Sequence, residues 1–157
     1  MSSHSLKYKQ FLPVTIQQAW DYFSSPHNLK EITPPDMDFK VLNDSGAEKM
    51  YAGQIITYTV KPIAGIPMFW MTEIKQVSHQ QYFIDEQRIG PYSLWHHSHF
   101  FTEVEGGVEM TDLIHYKLPL GFIGRIFNTL FVKKKLESIF AYRKKVLAEK
   151  FSGKAAV

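Results

Sequence analysis

The strongest constraint in this sequence is a change of period. Residues 37–118 run as six strand-length segments separated by turn residues, and beyond residue 132 the chain switches to one helical stripe. The segments are Met37–Leu42, Gln54–Lys61, Met68–Val77, Tyr82–Ile89, Ser93–Glu105 and Val108–Leu118. Their β-branched and aromatic content reads as strand. Asn43-Asp44-Ser45-Gly46, Gly90-Pro91 and Gly106-Gly107 supply turn chemistry between them. Links this short imply mostly antiparallel pairing.

The flanks complete the pattern. Residues 6–12 alternate apolar and polar, a seventh strand that Pro13 ends. Thr15-Ile16-Gln17-Gln18 fits a capping box, and Ile16, Ala19, Trp20 and Phe23 then share one helical face. Ser25-Pro26 starts a second short helix with serine as its cap, Leu29 and Ile32 as its apolar side, and Pro34-Pro35 as its stop. At the other end Val132, Leu136, Ile139, Phe140, Arg143, Val146, Leu147 and Phe151 recur at steps of three and four. A second stripe, Ile123, Ile126, Phe127 and Leu130, does not join the first smoothly across Lys133-Lys134-Lys135, so either the helix kinks there or a short helix precedes a long one.

The expected architecture is one α+β domain spanning residues 1–157, a seven-stranded, strongly bent antiparallel sheet wrapped around a long C-terminal helix, with two short helices between strands 1 and 2. A sheet of that size twists, and its concave face must be covered. The long helix is the element large enough to do so. A helix in a curved sheet often leaves part of the concavity unfilled, and an internal pocket for a small, largely apolar molecule is expected there.

Composition narrows the classes further. Apolar residues make up 45% of the 157, enough for a packed core. No stretch approaches the ~20 apolar residues of a membrane span. Met1–Ser5 has no basic segment followed by an apolar run, so no signal peptide is expected and a cytoplasmic location is the default. The absence of cysteine excludes disulfides, a thiolate nucleophile and thiolate metal sites. Charge is uneven: residues 1–116 carry 8 Lys and Arg against 13 Asp and Glu, a net −5, whereas residues 117–157 carry 10 against 2, a net +8. A solvated face of the last helix is the ordinary reading of such a run. Nucleic-acid binding is not expected, because Arg143-Lys144-Lys145 and the lysine triplet belong to no nucleic-acid module. Transient contact with a membrane surface is a further reading, since Phe122, Ile123, Ile126, Phe127, Leu130 and Phe131 adjoin three lysines. No oligomeric state is assigned.

The element order, with Leu12-Pro13-Val14 leading into Ala19-Trp20-Asp21-Tyr22-Phe23, resembles the START/SRPBCC superfamily of helix-grip proteins, typified by the birch-pollen allergen fold, over essentially the whole chain. Leu29–Pro34, Asp85–Tyr92, Trp95–Phe101 and Asp112–Gly121 are similar to one bacterial branch of ligand-binding-type proteins with no agreed substrate. The resemblance implies a cavity that takes lipids, sterols, polyketides, quinones or plant hormones. It also implies that a minority of relatives, the polyketide cyclases and aromatases, use the cavity for catalysis. The superfamily's architecture also implies that Pro62–Pro67 and Gly121–Gly124 sit at one end of the sheet, at the pocket entrance, with ordinary surface loops as the alternative reading.

A two-residue turn at Gly106-Gly107 sets Glu105 opposite Val108, His97 opposite Tyr116 and His99 opposite Ile114. Alternation puts Trp95, His97, His99 and Phe101 on one face with Met110, Asp112, Ile114, Tyr116 and Leu118. His96, Ser98, Thr102, Glu109, Thr111, His115 and Lys117 fall on the other, more polar face, which should meet water. Asp85 and Gln87 are expected to point inward from the neighbouring strand. The expected ligand-binding set is Trp95, His97, His99, Phe101, Asp112, Ile114, Tyr116, Asp85 and Gln87, with Trp95 on the pocket wall and the other tryptophans in the core.

Buried imidazoles and carboxylates must be paired, and three readings compete for them: a structural hydrogen-bond network, ligand recognition, or chemistry. For chemistry, His97 or His99 beside Asp112 would act as general base in a cyclisation or dehydration, with Tyr116 holding an oxyanion. A His-x-His pair with a carboxylate is also a ligand set for zinc or iron, but spacing alone is a weak signal and no metal or cofactor is assigned. No nucleophile elbow, phosphate-cradling loop or HExxH motif is present.

Overall fold

A computed structural model describes residues 3–62, 65–119, 123 and 131–152. The chain runs β1 (His4–Leu12), α1 (Ile16–Phe23), two 3₁₀ turns (Pro26–Lys30 and Pro35–Met37), β2 (Lys40–Asn43), β3 (Ile55–Val60), β4 (Met68–Ser78), β5 (Tyr82–Ile89), β6 (Leu94–Val104), β7 (Gly107–Lys117) and α2 (Lys133–Phe151).

The capping box forms as the sequence predicts: Gln18 N–H donates to Thr15 Oγ1, and Thr15 N–H donates to Gln18 Oε1. The expected second short helix forms as a 3₁₀ helix over Pro26–Lys30, with Ser25 at its N-cap position. Pro26 stands in its first turn and the Ser25 side chain makes no capping bond; Asn28 Nδ2 instead donates to the Tyr22 carbonyl at 2.8 Å, which ties the segment to the end of α1. The second strand starts at Lys40 rather than Met37. Pro35–Met37 forms another 3₁₀ turn, and Asp38 takes a left-handed conformation (φ 44°) that redirects the chain.

The seven strands form one sheet in the order β1-β7-β6-β5-β4-β3-β2, each neighbour antiparallel. Register breaks between β4 and β5 at Met71/Thr72 and at Ile74/Gln76, and such bulges sharpen local bending.

The β6–β7 hairpin corrects the expected register by two residues. Val104 pairs with Gly107, so the turn is Glu105-Gly106, His97 faces Ile114 and His99 faces Asp112. Gly106 supplies the left-handed φ of 79°. Gly107 is held in the strand by crowding: a Cβ there would lie 2.2 Å from the Leu12 carbonyl oxygen. A shift of two preserves which side chains share a face. His97, His99 and Phe101 are accordingly buried together with Val108, Met110, Asp112, Ile114 and Tyr116. On the opposite face Ser98 is buried as well, contrary to the expected exposure.

α2 buries Leu136, Phe140, Arg143, Leu147 and Phe151, with Ile139 and Val146 partly buried beside them. Of the stripe expected upstream, Ile123 is exposed, and Ile126, Phe127 and Leu130 lie outside the described residues. Among the described residues the core has two clusters. One gathers Leu12, Trp20, Phe23, Ile56, Ile74, Phe83, Phe101 and Leu147 near α1. The other gathers Met37, Phe39, Val60, Trp70, Tyr92, Ile114, Tyr116 and Phe140. Among the described residues no helix is long and apolar enough to cross a membrane.

Candidate functional site: a buried imidazole–carboxylate cluster on a cavity wall

Three adjacent strands bring the cluster together. Asp85 on β5 is the cross-strand partner of His97 on β6, and Asp112 on β7 is the partner of His99 on β6. His97 and His99 are two residues apart and share a face, their ring centroids 3.8 Å apart. Each imidazole therefore reaches both carboxylates. His97 Nε2 lies 2.9 Å from Asp112 Oδ1, and its Nδ1 lies 3.7 Å from Asp85 Oδ2. His99 Nε2 lies 2.9 Å from Asp85 Oδ2. His99 Nδ1 is also 2.9 Å from Asp112 Oδ1, but off the axis of a hydrogen bond, so among the described residues that nitrogen has no hydrogen-bond partner.

α2 closes the cluster from above. Arg143 Nη2 is 3.7 Å from Asp112 Oδ1, and its guanidinium carbon lies 5.5 Å from the Phe23 ring centroid and 5.7 Å from that of Phe140. Such seating suits the weakly hydrated, planar guanidinium. Phe83 stacks on His99 with centroids 4.1 Å apart.

The charges follow from these contacts. Burial works against the Asp112 carboxylate, but the Arg143 charge and both imidazoles outweigh it and hold its pKa well below the usual range. Asp85 is lowered too, its burial overcome by the hydrogen bond from His99 and the proximity of His97. Burial and the charge of His99 push His97 down. His99 is raised, because its two carboxylate neighbours overcome burial. At a pH where His99 holds its proton and His97 does not, two carboxylates face one guanidinium and one imidazolium. A buried group of charges that sums to zero avoids the large cost of an uncompensated ion.

A cavity of about 180 Å³ lies between the sheet and α2, at the junction of the two core clusters. Its apolar wall includes Met37, Phe39, Ile56, Tyr58, Trp70, Ile74, Leu136 and Phe140. Thr72, Asp85, His97, His99 and Arg143 supply polar groups on the same wall. Thr72 Oγ1 accepts from Trp70 Nε1 at 3.1 Å and lies 3.2 Å from the Tyr58 hydroxyl.

Of the residues singled out from the sequence, Trp95, His97, His99 and Asp85 line this cavity. Asp112 stands behind the imidazoles, off the wall. Phe101 packs edge-on against Trp20 in the first core cluster, while Ile114 and Tyr116 belong to the second. Gln87 is engaged in the turn after β5, donating to the Tyr92 carbonyl and accepting from Tyr92 N–H. Arg143, Tyr58, Trp70 and Thr72 were not assigned to the site from the sequence. An arginine inside an otherwise apolar helical stripe was the available signal. Pro62 lines the cavity, whereas Ile63, Ala64, Gly121 and Gly124 lie outside the described residues. From the basic-flanked apolar run Ile123 and Phe131 are exposed, and Phe122, Ile126, Phe127 and Leu130 lie outside the described residues.

No protein-family model and no curated protein sequence matches the chain. Solved structures do. Protein Ms6760 from Mycobacterium smegmatis superposes with a TM-score of 0.65 at 17% identity, covering 93% of this chain and 92% of that one. The ginseng major latex-like protein 151 from Panax ginseng superposes with a TM-score of 0.69 at 12% identity over 95% and 97% of the two chains. Ara h 8.0201 gives 0.61 at 12% identity over 94% and 99%. With its seven-stranded antiparallel sheet closed on a long C-terminal helix, this chain has the same helix-grip fold.

Proposed function

We propose that the protein binds a small, largely apolar molecule bearing at least one polar group in the cavity between the sheet and α2. The observation that carries this reading is the convergence of Asp85, His97, His99 and Arg143 on one side of a space otherwise walled by Phe39, Tyr58, Trp70, Ile74 and Phe140. An apolar pocket with a few convergent polar groups is the usual design of a small-molecule site. The apolar wall removes the body of the ligand from water, and the cluster orients its polar end. Lipid, polyketide, quinone and aromatic compounds all have this form.

The test is native mass spectrometry of protein purified from its own host, followed by denaturation and identification of released small molecules. A stoichiometric apolar compound, lost on substitution of wall residues such as Tyr58→Ala, supports the reading. Bare polypeptide mass, with no quenching of Trp70 or Trp95 by any compound of these classes, counts against it.

One observation favours an acid–base enzyme as the second reading. His97 is on the cavity wall and its pKa is lowered, so a neutral imidazole is available there as a general base, with Asp112 bonded to its far nitrogen. A cyclisation or dehydration by proton abstraction would use this pair. Turnover of a copurified compound, lost in His97→Gln with binding retained, would separate enzyme from carrier.

A further inference from the structure

We propose that Asp85, His97 and His99 form a site for one divalent transition-metal ion of the iron(II) or zinc(II) class, with its open positions toward the cavity. Donor atoms from the three residues all lie within 4.8 Å of one another. Two donors bound about 2.1 Å from one ion at tetrahedral or octahedral angles stand about 3.0–3.5 Å apart. Asp85 Oδ2 lies 2.9 Å from His99 Nε2 and 3.7 Å from His97 Nδ1, which brackets that spacing. An ion seated between them takes the place of the hydrogen that now joins His99 to Asp85. Two imidazoles and one carboxylate on one side, with the remaining positions open, are the facial ligand set of mononuclear iron(II) sites and also suit catalytic zinc.

The surroundings supply what such a site requires behind its ligands. A metal-binding histidine turns its other nitrogen toward a carboxylate, which fixes the tautomer and the ring plane. His97 spends Nε2 on Asp112, leaving the lone pair of Nδ1 directed toward Asp85. His99 Nδ1, buried and without a hydrogen-bond partner among the described residues, lies 2.9 Å from the same Asp112 oxygen. A small rotation of the ring turns that approach into a hydrogen bond. Arg143 neutralises Asp112, so Asp85 is the carboxylate left to offset the ion's charge. Asp85, His97 and His99 all face the cavity, so the open positions meet its contents. What they would hold, an oxygen or nitrogen donor on an otherwise apolar molecule, rests on the reading of the cavity as a ligand site. The ion itself does not.

The test uses the full chain, stripped with chelator and titrated with Co²⁺ alone, followed by visible absorbance, by calorimetry and by proton NMR. One saturable ion per chain is expected, with hyperfine-shifted imidazole resonances from His97 and His99. Asp85→Asn is expected to abolish saturable binding. Asp112→Asn should weaken it about 10–100-fold through the loss of imidazole orientation. His96→Ala, on the outer face beside Glu86, should leave it unchanged. Circular dichroism confirms that each variant folds, and the resonance shifts of the unsubstituted protein decide the matter if Asp85→Asn does not. The proposal is overturned if the wild type binds no Co²⁺ saturably, if the shifted resonances belong to other histidines, or if His96→Ala removes binding that Asp85→Asn keeps. Because no organic compound enters this titration, failure to find a copurified ligand leaves its outcome intact, and the converse also holds.

Discussion

Arg143 on α2 stands 3.7 Å from the same Asp112 oxygen that lies 2.9 Å from a nitrogen of both His97 and His99. The long helix is therefore tied to the sheet by charge as well as by apolar packing. Arg143→Met keeps much of the stem's bulk but leaves the buried Asp112 without the guanidinium charge beside it. Removing one partner of a buried pair costs about 3–5 kcal/mol, and a loss of that order is expected in urea or guanidinium unfolding. Asp112→Asn in the Arg143→Met background should cost less than Asp112→Asn alone. Strict additivity in this double-mutant cycle would show that the two residues are not coupled.

The cluster also sets an acid and an alkaline limb of stability in metal-free protein. Asp85 and Asp112 have pKa values below the ordinary 3.8. Their unfolded forms take up protons first as pH falls, so their contribution is present above about pH 4 and is lost below it. His97 is lowered from 6.5, so its contribution is present above that pH and declines as pH falls through its folded value. His99 is raised from 6.5, so its contribution is complete below that pH and is lost as pH rises through its folded value. Unfolding midpoints between pH 3 and 9, with chelator present, should show a steeper acid loss for the wild type than for Asp112→Asn. The decline above pH 6.5 should be reduced in His99→Gln. Parallel profiles for all three proteins would contradict this assignment of charges.

Thr72 Oγ1 accepts from Trp70 Nε1 and lies within hydrogen-bond reach of the Tyr58 hydroxyl, so one small side chain orients two aromatic members of the cavity wall. Thr72→Val preserves volume but leaves the indole N–H without this acceptor. A cost of about 1–3 kcal/mol is expected, together with a shift in tryptophan emission and weaker binding of apolar probes. An unchanged emission maximum would show that Thr72 does not fix the position of Trp70.

How much of this was legible beforehand depends on which property is periodic. The inward set on β6 and β7 was readable because side chains alternate with a period of two, and the actual register of the hairpin differs from the expected one by two residues. His97, His99 and Asp112 thus emerged on the correct face, while their cross-strand pairings were displaced by two residues. Alternation does not separate a side chain that meets a void from one that meets another side chain. Phe101 and Tyr116 share the face of His97, yet they pack into the core, because α1 and the Tyr92 turn reach them. Arg143 was visible as a member of the helical stripe, but its role depends on where α2 crosses the sheet. That crossing is set by three-dimensional packing of Phe140 and Leu147 rather than by spacing along the chain.

The turn itself gives the last prediction. With Gly106 and Gly107 adjacent, the sequence admits two turns, and the choice follows from what each glycine avoids. Gly106 needs a left-handed φ, which costs an alanine roughly 1–2 kcal/mol. Gly107 needs the absence of a side chain, since a Cβ would lie 2.2 Å from the Leu12 carbonyl oxygen and 2.9 Å from the Phe11 ring. A clash with backbone is not relieved by a rotamer change, so β1 must move away from β7. Gly107→Ala should therefore destabilise the protein more than Gly106→Ala. It should also speed amide exchange along β1, from Lys7 to Leu12, where that strand pairs with β7. Gly106→Ala should leave exchange in β1 near the wild-type rate. Equal losses in the two variants, or the reverse order, would return the turn to Gly106-Gly107 and set His97 opposite Tyr116.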